Sequence, residues 1–85
     1  MENRVALLGF VVDNPGSVEE LNRLLHEYKD YIIGRMGIPY KERKISLISI
    51  VIDAPSDAIS TLCGKAGMLS GVSAKALYSK IPEEK

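Results

Sequence analysis

The run Lys44-Ile45-Ser46-Leu47-Ile48-Ser49-Ile50-Val51-Ile52-Asp53 decides the fold. It is a bounded apolar stretch rich in β-branched residues, and it reads as the clearest strand in the chain. Just downstream, Pro55 suits the first turn of a helix, where its missing N–H costs nothing. Ala58, Ile59, Leu62 and Ala66 give that helix a thin apolar stripe, and Gly67 fits a C′ stop. Val72, Ala74, Ala76 and Tyr78 then alternate with Ser73, Lys75, Leu77 and Ser79, the period of a strand.

Upstream the same order recurs. Arg4 to Val12 is a nearly continuous apolar run and reads as strand one. Asp13-Asn14-Pro15-Gly16 is turn chemistry. Ser17 to Glu20 has the spacing of a capping box, and Val18, Leu21, Leu24, Leu25 and Tyr28 fall on one helical stripe. Tyr31 to Met36 reads as strand two, interrupted by Gly34, and Gly37 to Lys44 as a polar hairpin connection. Two βαβ halves joined by a hairpin make a ferredoxin-like βαββαβ domain of the α+β class, with a four-stranded antiparallel sheet and two helices on one face. The domain is expected over residues 1–80, with residues 81–85 as a polar tail.

A sheet covered on one face only should alternate apolar with polar. Strand one does not: Val5, Leu7, Gly9 and Val11 are as apolar as Ala6, Leu8, Phe10 and Val12. Strand three is likewise apolar on both parities from Leu47 onward. The second face therefore needs a cover, and another copy of the chain is the economical one, giving a dimer or tetramer.

The 85 residues suffice for one domain with one modest core. Lys and Arg total 11, as do Asp and Glu, so no general attraction to nucleic acid or anionic membrane is expected. No apolar run approaches the ~20 residues that a bilayer core requires. A single cysteine excludes an internal disulfide and fits a reducing compartment, so the cytoplasm is the expected location.

Between strand one and helix one lies Asp13-Asn14-Pro15-Gly16-Ser17-Val18, the candidate ligand site. Gly16 allows close backbone approach, a helix N-terminus offers N–H groups to a carboxylate, and Asp13 suits an ammonium. The alternative is that Asp13 and Pro15 only shape the turn and Ser17 only caps the helix. A secondary candidate is Arg35, Met36, Gly37 and Tyr40. Here Arg35, Lys41, Arg43 and Lys44 surround Tyr40 in a small basic patch, tempered by Glu42.

The turn resembles the Asp-x-Pro-Gly turn of ACT domains, ferredoxin-like modules that commonly bind amino acids at dimer interfaces. A wider resemblance runs through Leu25-His26-Glu27-Tyr28, Ile32-Ile33-Gly34-Arg35-Met36-Gly37-Ile38-Pro39-Tyr40, Ser60 to Gly67 and Ser70-Gly71-Val72. Over these segments the chain resembles a family of small bacterial proteins proposed as regulators of the iron-only hydrogenase system. That family is regarded as ACT-like and similar to the ligand-binding C-terminal domain of nickel-responsive regulators. The resemblance implies a regulatory or ligand-sensing role, with an amino acid or small anionic metabolite, or a protein partner, as its target.

Metal binding by those nickel-responsive relatives uses a cluster of His and Cys, whereas this chain has one of each. His26 lies off the apolar stripe of its helix and reads as solvated, and Cys63 as a small hydrophobe at the edge of helix two. No metal and no cofactor is expected. Nor is direct DNA contact, since the sensor-like fold leaves no residues for a reading element. No nucleophile stands at a recognisable spacing from a base, so the chain is not expected to be an enzyme. The rival to ligand sensing is a protein-interaction subunit with no small-molecule ligand.

Overall fold

Burial alternates along the two central strands with a period of two, which fixes the face that carries the helices. In the computed structural model, which describes residues 3–80, the elements are β1 (Asn3–Val12), α1 (Gly16–His26), β2 (Ile32–Tyr40), β3 (Ile45–Pro55), α2 (Ser56–Gly67) and β4 (Val72–Tyr78). The sheet order is β2-β3-β1-β4, and every neighbouring pair is antiparallel. This is the expected ferredoxin-like α+β fold. The decisive run is a central strand from Ile45 onward, bonded on both sides, with Lys44 in the turn before it.

Ala6, Leu8, Phe10 and Val12 of β1 and Ile48, Ile50, Ile52 and Ala54 of β3 point to one side. They meet Leu21 and Leu25 of α1 and Ile59, Leu62 and Ala66 of α2 in a single core. Each large side chain fully buried there contributes ~1.5–3 kcal/mol. Cys63 is half-buried against this core, and His26 is exposed.

The second strand departs from expectation by continuing past Met36 to Tyr40, pairing Pro39 with Ser46 and Tyr40 with Ile45. Gly37 to Lys44 is therefore not one long connection; the reversal is confined to residues 41–44. β2 lies at the sheet edge, where a proline without an N–H is tolerated. The interruption expected at Gly34 is a bulge between Ile32 and Gly34. Lys44, at φ 58, takes the left-handed conformation that lets the hairpin close.

Three helix signals also resolve differently. Ser17 makes no capping hydrogen bond, and the residue before α1 is Pro15. The hydroxyl of Ser17 instead donates to the Ser70 carbonyl oxygen at 2.6 Å. Ser17 sits four residues before Leu21 on the buried stripe, so its side chain points inward and cannot reach back to the turn. Asn14 takes over the capping: its Oδ1 accepts from the Gly16 N–H at 3.0 Å. At the other end, Gly67 is the last residue of α2 rather than a left-handed C′ residue. The glycine with positive φ is Gly71, at 71°, on the entry to β4. Pro55 closes β3 and stands just before α2 instead of inside its first turn. The tail expected at 81–85 lies outside the described residues.

Ser17 is the one buried polar side chain among the described residues. Ser17→Ala removes a part-buried hydrogen bond to the Ser70 carbonyl. The expected cost is about 1–2 kcal/mol. Urea unfolding should show a lower midpoint at unchanged slope.

Candidate functional site

The turn from Asp13 to Val18 is braced by the loop that enters β4. Asp13 donates its N–H to the Gly71 carbonyl oxygen at 2.8 Å. Asn14 donates from Nδ2 to the Ser70 hydroxyl at 3.0 Å, and Ser17 adds its bond to the Ser70 carbonyl. The N–H groups of Gly16, Ser17 and Val18 are aimed at Asn14 Oδ1, the Asn14 carbonyl and the Pro15 carbonyl respectively. These first donors of α1 therefore have acceptors within the turn. Asp13, Pro15 and Gly16 are exposed, Asn14 and Val18 half-buried.

Strand alternation divides the secondary candidate between two faces. Arg35 and Gly37 pair with Ile50 and Ile48, on the helix side, whereas Met36 pairs with Ser49 and Tyr40 with Ile45, on the outer side. The Arg35 guanidinium donates to Asn22 Oδ1 at 2.8 Å, tying β2 to α1. What the two candidates share is a cleft of about 300 Å³ at one end of the sheet. Pro15 and Val18 form one wall, and Tyr40, Lys41 and Lys44 the other. Lys41 and Lys44, both in the basic patch around Tyr40, bring cationic charge to it; what the sequence does not show is that the α1 turn forms the opposite wall.

The larger feature is the face of the sheet turned away from the helices. Its cross-strand rows are Ile38–Leu47–Val11–Ser73, Met36–Ser49–Gly9–Lys75 and Gly34–Val51–Leu7–Leu77. Leu7 is 45 % exposed, Met36 57 % and Leu77 70 %, against 0 % for Leu8 on the other side of the same strand. No element of the chain within residues 3–80 covers this face. The middle row is depressed, because Gly9 and Ser49 are small, and it forms a hollow of about 370 Å³ bordered by Val11, Met36, Ile38, Leu47 and Lys75. The apolar double parity of β1 and β3 signalled the face. The glycine inside an otherwise branched strand was the available signal for the hollow.

Among the described residues, no three of His, Cys, Asp and Glu converge in a way that would hold a metal ion. No helix is long and apolar enough to cross a membrane.

Residues 4–76 match the model of a family described as "TM1266-like: Iron-only hydrogenase system regulator, putative". Among solved structures, protein TM1266 from Thermotoga maritima is similar, at 35% sequence identity and a TM-score of 0.89. The match covers 93% of this chain and 100% of that one. No curated protein matches.

Proposed function

This chain belongs to the TM1266-like family, and from that premise we propose that it is a cytoplasmic regulatory subunit of the iron-only hydrogenase system that works as a homo-oligomer. The observation that carries the reading is the uncovered apolar face formed by β1, β3 and their neighbours. An exposed cluster of Val5, Leu7, Val11, Met36, Ile38, Leu47 and Leu77 on one sheet face is more apolar surface than a soluble monomer ordinarily leaves wet. A second copy is the partner always present at equal concentration. Sedimentation equilibrium should give a dimer or larger; a monomer across the accessible concentration range would overturn the reading. Leu7→Glu puts a charge in the middle of the face without touching the core, and should release monomers of native circular dichroism.

Ligand sensing is favoured by the cleft between the Asp13–Val18 turn and the β2–β3 hairpin. Its walls are apolar at Pro15 and Val18 and cationic at Lys41 and Lys44, which suits a small anion with an apolar body, an amino-acid carboxylate included. The ACT-like role of the turn is retained in this form, with the lysines supplying the charge that the engaged turn donors do not. A thermal-shift screen of amino acids and anionic metabolites should find a compound that raises the melting midpoint. Lys41→Glu combined with Lys44→Glu should abolish that shift. If no compound shifts the midpoint, the chain is instead a protein-interaction subunit without a ligand.

A further inference from the structure

The outer face carries two charged side chains within its strands. Lys75 lies on β4 and Asp53 on β3, both exposed. Through Gly9, Lys75 is aligned with Ser49, four residues from Asp53. With strands about 4.8 Å apart and a rise of about 3.3 Å per residue, the two residues stand roughly 16 Å apart. They form no ion pair with each other. The point midway between them is Leu7, one strand in from each and two residues along.

We propose that two copies pack their outer faces together about a twofold axis through Leu7, so that Lys75 of each meets Asp53 of the other. This rests on the oligomeric reading above and specifies its geometry. A closed twofold interface is self-complementary, so one cation and one anion placed symmetrically about a point make two bridges. A dimer that buried this face in any register leaving Lys75 unmatched would strand a cation in an apolar interface, which is strongly unfavourable.

Shape agrees with charge. The same twofold brings Val51 of one copy to within about 2–3 Å of the position over Gly9 of the other, by the same strand spacings. Gly9 has an ordinary backbone conformation, and a Cβ there would meet nothing within 4 Å. A glycine in a regular central strand costs about 0.5–1 kcal/mol relative to alanine. Nothing within the chain requires it, so the missing side chain serves a group arriving from outside. By the same spacings the strands of the two copies cross at about 70°, nearer the orthogonal than the aligned way in which sheets pack face to face.

Charge exchange tests the pairing. Lys75→Glu and Asp53→Lys each turn two attractive contacts into two repulsive ones, and each should raise the dissociation constant about 100-fold or more. Mixed in equal amounts, the two variants should associate again, because every contact between them is attractive. The doubly substituted chain should also assemble. Gly9→Val should weaken assembly without lowering the stability of the fold. Sedimentation equilibrium reads all of these, and circular dichroism checks the fold. If native protein assembles but the single variants keep its mass, or their mixture stays apart, the pairing is overturned while the oligomeric reading stands. Gly9→Val that assembles like the native chain overturns it equally. A monomeric native protein sinks both.

Discussion

Phe10→Ala should cost about 3–5 kcal/mol, a third or more of the stability of a domain of this size, roughly 4–13 kcal/mol. Phe10 is 1 % exposed and stands on β1 with Ile48 and Ala74 as its cross-strand neighbours. Ala74 is too small to collapse into the space, and the sheet backbone cannot move to fill it. The truncation therefore loses both the transfer energy of the ring and the contacts of the cavity lining. Val11 is the next residue and has the opposite fate. It is 41 % exposed on the outer face, so Val11→Ser should change the stability of the isolated fold by no more than about 0.5 kcal/mol and weaken self-association instead. Denaturant unfolding at low concentration, set beside sedimentation, separates the two effects. Equal losses of stability from both changes would mean that the two parities of β1 are not divided between core and interface.

The division of the two parities between a core face and an outer face is legible in the residues of the strands themselves. Ile48, Ile50 and Ile52 on one parity and Leu47 and Val51 on the other cannot both face a single helical layer, so a two-sided sheet follows from strand composition. Local punctuation is less reliable. Gly37 and Pro39 look like loop residues, yet β2 is an edge strand, and edge placement is a property of the assembled sheet rather than of the segment. Ser17 followed by Glu20 has the spacing of a capping box, but Ser17 also lies in phase with Leu21 and Leu25. Helical phase prevails over the cap, and the hydroxyl turns inward to Ser70. The candidate ligand turn is visible as a turn. Its acceptors at residues 70 and 71 lie more than fifty positions away in the chain, a pairing that no local pattern encodes. The cleft lysines belong to the same class: Lys41 and Lys44 gain a shared cavity with Pro15 and Val18 only once the hairpin folds beside α1.

Gly71→Val should destabilise the protein by about 2–5 kcal/mol, combining the penalty for a branched residue in the left-handed region with a collision. Gly71 has φ 71, and a Cβ there would run into Asp13 Oδ1 while lying 2.8 Å from Asn14 Cβ and 3.0 Å from the Asn14 nitrogen. Two of these three obstacles belong to Asn14, which is held from both sides. Its side chain binds the Gly16 N–H and the Ser70 hydroxyl, so it cannot retreat without surrendering the cap of α1. The damage should spread to Pro15 and Val18, one wall of the cleft, and any ligand that stabilises the native chain should lose its effect together with the fold's rigidity at this end. Gly64→Ala is the matched control. Gly64 lies inside α2, where an added Cβ would meet nothing within 4 Å, so alanine there should stabilise by about 0.5–1 kcal/mol through helix propensity alone. Thermal or urea unfolding of the two variants should therefore move in opposite directions. If Gly71→Val unfolds like the native protein, the β4 entry loop does not brace the turn, and the hydrogen bonds from Asp13, Asn14 and Ser17 to residues 70 and 71 do not hold this end of the sheet together.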